Sequence, residues 1–207
     1  MIFKKIVFII IIIILSFKIG TAFDLNSLIG NSPIITINND EKGKLKLITV
    51  YSIADAPFEI IWNTILEIKS YKEFTPRIKE IKNISQTDKE NEITADFEIE
   101  VPFLNLEYRL IYKYDKQKRT IDVRRLSGDL EGSHWSWKFE EMGDKTFIVY
   151  SGLIKNYSSL LENIDDSTNS VTMGVNISTI LSTVKLNKER AEFLYKNKQA
   201  DENFIGK

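Results

Sequence analysis

The chain has 207 residues, a hydrophobic share of 43% and a formal net charge of −1, which suits one domain with a substantial core. So small a net charge gives no overall field that would attract nucleic acid. The chain has no cysteine and one histidine, which excludes disulfides, thiolate metal sites and a cysteine nucleophile. We therefore expect no metal and no cofactor.

Residues 1–22 have the three regions of a secretory signal peptide. Lys4 and Lys5 form a positive start, residues 6–15 are an unbroken apolar run, and residues 20–22 are small enough for a signal peptidase. The run is shorter than the roughly 20 residues that cross a bilayer. Cleavage before Phe23 would place the mature protein in the periplasm or outside the cell. The alternative is an uncleaved membrane anchor.

Residues 23–44 form an amino-terminal extension. Its segment 33–37 is β-branched and is followed by turn-forming residues at 38–43. We interpret this as a hairpin that adds an extra strand ahead of the first core strand, residues 45–53, and covers a sheet edge. The main domain is predicted to span residues 45–198, and residues 199–207 are a polar tail.

Two short helices are predicted directly after the first core strand. Pro57 is compatible with a first helical position, and isoleucines recur at helical spacing from Ile61 to Ile68. Tyr71 and Phe74 continue for one further turn, and Pro76 ends the helical segment because proline disfavours helix in the residue before it.

Apolar and polar residues then alternate with a period of two, as expected of antiparallel strands with one solvated face. The predicted strands are residues 92–101, 106–114, 119–126, 134–140 and 145–154. The inward parity of the third of these strands falls on Arg125. The last strand is apolar on both faces, so its inward face stays open.

A long helix is predicted at residues 167–196, with Gly174 as its weak point. Its front half has an apolar stripe that includes Ile177 and Ile180. A polar connection, residues 156–168, precedes it. These elements together predict an α+β helix-grip fold, in which a curved antiparallel β-sheet wraps around the long C-terminal helix.

Three short motifs follow the first core strand: Ala56-Pro57 with Trp62, Ile65-Leu66-Glu67, and Tyr71-x-x-Phe74-x-Pro76-x-Ile78. They resemble the opening of the START-like, or Bet v 1-like (SRPBCC), superfamily, especially its polyketide cyclase/dehydrase and coenzyme Q-binding branch. The resemblance covers roughly residues 45–195. It departs from the family at Glu67, where relatives often carry aspartate. It implies an apolar cavity under the C-terminal helix.

Inward aromatic and aliphatic side chains are the candidates for lining such a cavity. Several carry a polar tip, which suits a partly polar ligand. For any single residue an ordinary place in the core is the simpler interpretation, whereas for the set as a whole the resemblance favours a pocket. The candidates are Trp62, Phe74, Phe97, Tyr108, Tyr112, Trp135, Trp137, Tyr150, Ile177 and Ile180.

Arg125 is a further candidate, because a guanidinium in an apolar interior needs an acid, carbonyls or a ligand anion. We interpret it as an anchor for a carboxylate, a phosphate or a quinone oxygen. A one-residue shift of register would instead place it outside, and a position at the cavity mouth is the other alternative.

No catalytic residue is predicted. His134 has outward parity, and the chain has neither a Gly-x-Ser-x-Gly nucleophile motif nor a glycine-rich phosphate loop. The basic residues from 185 to 198 suit either transient contact with a membrane surface or partner, or a solvated helix end.

The predicted function is extracytoplasmic binding or carriage of a hydrophobic small molecule, such as a lipid or quinone, between sheet and C-terminal helix. Movement of that helix or of the connection before it would admit the ligand. The alternative is a cyclase/dehydrase-type enzyme acting on an apolar or aromatic substrate in the same cavity. Unshifted tyrosines, with pKa values near 10, would be poor bases for it. A protein-interaction module is a third reading.

Overall fold

The computed structural model describes residues 32–87, 89–101, 104–155 and 168–205. The predicted signal peptide, its cleavage site and nearly all of the polar connection lie outside these residues. Within the described part of the chain, no helix combines the length and the apolar character that crossing a membrane requires.

Eight antiparallel strands form one sheet in the order β1-β2-β8-β7-β6-β5-β4-β3. Two short helices, α1 and α2, follow β2, and the long helix α3 follows β8. The strands are β1 Ile34–Asn39, β2 Leu45–Ala54, β3 Ile78–Thr87, β4 Glu92–Val101, β5 Leu104–Asp115, β6 Thr120–Gly128, β7 His134–Met142 and β8 Lys145–Leu153. The helices are α1 Phe58–Leu66, α2 Tyr71–Phe74 and α3 Thr168–Ile205. This architecture confirms the predicted helix-grip fold.

The extra amino-terminal strand pairs with the first core strand. β1 runs antiparallel to β2, with Ile34 opposite Tyr51. The Asp40 carboxylate closes the turn between them by accepting hydrogen bonds from the backbone N–H groups of Lys42 and Lys44, both at 2.9 Å. Asp40 acts here as an Asx turn, which explains why this stretch forms a hairpin.

The helices after β2 differ in detail from the prediction. Pro57 caps α1 with extended backbone, so the helix begins at Phe58 rather than at the proline. The break lies at Glu67, and a 3₁₀ turn, Ile68–Ser70, joins α1 to α2. α2 ends at Phe74, two residues before Pro76, as the proline predicts.

Helix α3 is longer than predicted and extends through Ile205. The residues after 198, predicted as a polar tail, are therefore helical up to this point. They include good helix formers, and Lys198 and Glu202 are spaced as an i,i+4 pair, 3.9 Å apart. Gly174 lies inside the helix and is exposed, and an added Cβ there would meet no atom within 4 Å.

The core lies between the inner face of the sheet and one stripe of α3. Ile180, Val184 and Ala191 are almost fully buried against it, as are Ile48 and Val50 of β2. The inward parity predicted for β4, β5 and β7 is the parity observed. The parity of β8, left open by its sequence, is decided by pairing with β2: its inner residues include Ile148 and Tyr150.

Candidate functional site

Four tyrosines lie in the interior between the sheet and the helices. Tyr108 and Tyr112 project from β5, Tyr150 from β8, and Tyr71 from α2. Tyr71, Tyr112 and Tyr150 are buried, and Tyr108 is half-buried. The strand alternation brings the two β5 residues to one face, and α2 reaches the same interior because the break after α1 turns the chain back. The site is therefore built from three separate elements.

Burial dominates the electrostatics of these four tyrosines. Burial raises the pKa of Tyr71, and its hydroxyl donates to the Ile65 carbonyl at 2.7 Å. Burial also raises the pKa values of Tyr108, Tyr112 and Tyr150, and for the last two the neighbouring tyrosines add to the shift. All four hydroxyls are therefore protonated at neutral pH and act as neutral hydrogen-bonding groups, not as bases.

Other predicted candidates form the apolar wall around these hydroxyls. Trp137 packs on Tyr150 with ring centroids 4.1 Å apart, and Phe97 stacks on Tyr108 at 5.9 Å. Ile180 of α3 is fully buried and Ile177 half-buried on the same core. The structure thus brings most of the predicted lining residues together. Their role in binding a ligand stays a prediction.

Trp62 and Trp135, two further predicted lining residues, each have their own set of neighbours. Trp62 packs in an aromatic cluster with Phe58 and Phe139, at centroid distances of 5.3 and 6.1 Å. The Trp135 ring covers Gly152, its cross-strand partner, so closely that a Cβ on Gly152 would lie 3.0 Å from Trp135 Cγ. Gly152 leaves room for the indole.

Arg125 has the inward register that its parity predicts, since it pairs with Leu110 of β5. A bulge follows immediately, because Arg109 pairs with Ser127 and the ladder skips Leu126. The guanidinium donates to the backbone carbonyls of Asp129, at 3.1 Å, and of Gly128. Carbonyls at the end of β6 and in the β6–β7 connection thus provide the partners that a half-buried guanidinium needs. Its role as a ligand anchor stays a prediction.

Phe74 is half-buried beside Tyr71, with ring centroids 5.4 Å apart. The Arg190 guanidinium of α3 lies 5.7 Å from the Phe74 centroid and donates to the Glu73 carboxylate at 2.5 Å. Sequence analysis did not single out Arg190, because its neighbours suggested only a basic helix end.

Two asparagines interrupt the buried stripe of α3, and sequence analysis missed both. The Asn176 amide accepts from Ile154 N–H at 2.7 Å and donates to Ile154 O at 3.2 Å. It thus satisfies both backbone polar groups of Ile154, as a neighbouring strand would. Asn187 is 3% exposed and donates to Thr183 O at 2.9 Å. The signal was present in their spacing, since 176, 180, 184, 187 and 191 share one helical face.

The basic residues between 185 and 198 are partly neutralised along α3. Lys185 lies 3.8 Å from Glu189, and Lys188 lies 3.5 Å from Glu192. Such pairs are typical of a solvated helix face. The predicted contact with a membrane surface stays a prediction.

Two open depressions lie away from α3. One, of about 270 Å³, is lined mainly by outer-face charges such as Glu98 and Arg109. The other, of about 430 Å³, is lined by Arg124 and the exposed His134 among others. Among the residues that the structure describes, no group of three or more acidic or histidine side chains is arranged to hold a metal ion.

No protein-family model matches the chain, and no curated protein matches it. Solved structures do match. The Zhui aromatase/cyclase from Streptomyces sp. R1128 superposes with a TM-score of 0.59 and 11% identity, over 71% of this chain and 93% of that one. A STAR-related lipid transfer protein from Xanthomonas axonopodis gives 0.59 and 12%, over 78% and 94%.

A START superfamily protein from Mycobacterium smegmatis is also similar, with a TM-score of 0.55 and 14% identity over 72% of this chain and 98% of that one. At such identities the likeness establishes the fold. The chain therefore has the START-like helix-grip fold that its sequence motifs predicted.

Proposed function

We propose that this chain binds or carries a hydrophobic small molecule with at least one polar oxygen, such as a lipid or quinone, between the sheet and α3. The observation that carries the proposal is the cluster of four tyrosines set in an aromatic wall. Apolar burial would supply affinity, at about 0.8 kcal/mol per methylene. The hydroxyls would orient the polar end. A lipid transfer protein among the structures of similar fold supports this function.

A cyclase/dehydrase-type enzyme is the second candidate, supported by the aromatase/cyclase of similar fold. Such an enzyme would need a base inside the site. Burial raises the pKa values of Tyr108, Tyr112 and Tyr150, which makes each a weaker source of phenolate at neutral pH than free tyrosine. Binding without catalysis therefore accounts better for this set of side chains.

The direct test is native mass spectrometry of the purified full chain, followed by denaturing extraction and lipid analysis. We expect a stoichiometric apolar species that is released on denaturation. A protein that carries no such species, and takes none up from a lipid extract, would contradict the proposal.

Replacing Tyr112 by phenylalanine should weaken retention of the extracted species about fivefold, because one buried hydrogen bond contributes about 1 kcal/mol. Tyr112 is the residue to change because it is buried on the inner face of β5. Tyr51→Phe is the matched control, since Tyr51 stacks on Phe147 on the outer face of the sheet. Retention measured by native mass spectrometry should fall for Tyr112→Phe alone, and equal retention by both variants would remove the tyrosine cluster from the binding site.

We also propose that the protein works outside the cytoplasm, on the strength of the signal peptide predicted at residues 1–22. Amino-terminal sequencing of protein recovered from a periplasmic fraction or from the medium should begin at Phe23. Full-length chain found in the membrane fraction would favour the uncleaved anchor instead.

A further inference from the structure

Helix α3 carries two buried polar atoms that have no hydrogen-bond partner among the described residues: Asn187 Oδ1 and Arg190 Nε. The two residues are three positions apart, so they are neighbours on one helical face. Buried polar groups without a partner are rare in folded proteins, and each costs about 1–3 kcal/mol. Two such atoms on one helical face, one an acceptor and one a donor, indicate a site for a third group.

The orientation of Asn187 is determined by its own contact. Its amide nitrogen donates to the Thr183 carbonyl at 2.9 Å, an oxygen that only a donor can approach. The other end of the amide must therefore be the oxygen. Since Asn187 is only 3% exposed, bulk water does not satisfy this acceptor.

The Arg190 guanidinium is held from the other side. One terminal nitrogen donates to Glu73 at 2.5 Å, and the group lies over the Phe74 ring at 5.7 Å. Glu73 is exposed, whereas Nε of the same guanidinium is buried. Arg190 thus spans from the surface to the interior. Its charge is already paired at the surface, and it offers one N–H to the inside.

The arginine of this pair adjoins the tyrosine cluster. The Arg190 guanidinium lies over the Phe74 ring, 5.7 Å from its centroid. Tyr71 packs edge-on against the same ring, with the two centroids 5.4 Å apart. A ligand whose polar end lies beside Tyr71 would therefore be next to the Arg190 side chain.

We infer that Asn187 and Arg190 form a subsite for a ligand hydroxyl group, and that the cargo is an alcohol or a phenol. The inference rests on the proposed function and specifies its ligand class. A hydroxyl oxygen accepts from Arg190 Nε and donates to Asn187 Oδ1 through one atom. A carboxylate cannot donate to Asn187, and Glu73 already neutralises the arginine. A hydrocarbon end leaves both atoms unpaired.

The test compares three probes of one shape on the full chain: 2-naphthol, 2-naphthoate and 2-methylnaphthalene, by isothermal titration calorimetry. We expect 2-naphthol to bind about tenfold more tightly than either of the others, since two hydrogen bonds distinguish it. The comparison uses wild-type protein, so it needs no variant to fold.

Two substitutions then locate the preference. Asn187→Leu and Arg190→Met should each reduce the advantage of 2-naphthol to less than about threefold and leave 2-methylnaphthalene binding within a factor of about two. Asn197→Leu, at an exposed position of the same helix, is the control and should keep the full preference. Circular dichroism and a thermal melt check that each variant folds.

The outcomes separate the two proposals. Equal binding of 2-naphthol and 2-methylnaphthalene to wild-type protein would overturn the hydroxyl subsite, with a buried water as the occupant, and would leave the proposed function standing. Preference for 2-naphthoate would also overturn it, in favour of an anion site. Failure of all three probes to bind, with no apolar species in the native mass spectrum, would overturn both.

Discussion

Replacing Gly128 by alanine is expected to lower the free energy of unfolding by about 3 kcal/mol, because two costs add at this position. Gly128 has a φ of +86°, where an L side chain is strained. An added Cβ would also lie 2.7 Å from Tyr108 Cα and still closer to the Glu107 carbonyl oxygen. These are backbone atoms of β5, so neither can move aside without disturbing the strand pair.

Gly143→Ala separates the two costs. Gly143 has a φ of +70°, but an added Cβ would meet no atom within 4 Å, so only the backbone strain of about 1 kcal/mol applies. Urea denaturation of both variants against wild type measures the difference. Equal losses would show that β5 and β6 can separate locally, and would contradict the close approach at Gly128.

Replacing Asn176 by alanine is expected to cost about 3 kcal/mol of unfolding free energy, since it leaves both the N–H and the C=O of Ile154 without their amide partner. Asn176 is fully buried and Ile154 is 5% exposed, so bulk water cannot take over. This amide joins α3 directly to the end of β8. Its loss should also raise hydrogen-exchange rates at Ile154, which separates a local break from a general loosening.

Asn197→Ala is the matched control for this prediction. Asn197 is exposed on the same helix, and alanine is the better helix former, so its replacement should leave stability unchanged or raise it slightly. A loss at Asn197 comparable to that at Asn176 would indicate a general effect on α3 and would contradict a specific role for the Ile154 contact.

Much of the fold was predictable from local patterns. The alternation in β4, β5 and β7 predicted which side chains point inward, because side-chain direction in a strand depends only on position along it. Pro76 marked the end of α2 for a similarly local reason. The ends of helices and strands were predicted less accurately than their positions. Helix α3 continues past residue 198, and the sequence did not show this because a polar segment of good helix formers is compatible with both helix and coil.

The site was predictable only in part. Tyr108, Tyr112 and Tyr150 were selected as inward aromatics, and they do meet. Tyr71 was placed on a helix but was not recognised as their neighbour, since its position depends on how α2 packs against the sheet. Arg125 was predicted to point inward, where its guanidinium would need an acid, carbonyls or a ligand anion as a partner. Its partners proved to be carbonyls only three and four residues away, brought within reach by the bulge at Leu126.

The sequence by itself determined the helix-grip class, the inner face of most strands and the aromatic character of the interior, because periodicity and the motifs around Trp62 and Phe74 are local properties. The tertiary structure alone decided which polar atoms meet. Asn176 finds Ile154 across 22 residues, and Arg190 finds Glu73 across 117. Such pairings depend on how α3 lies in the sheet, and the free energy of a buried hydrogen bond depends on both partners arriving together.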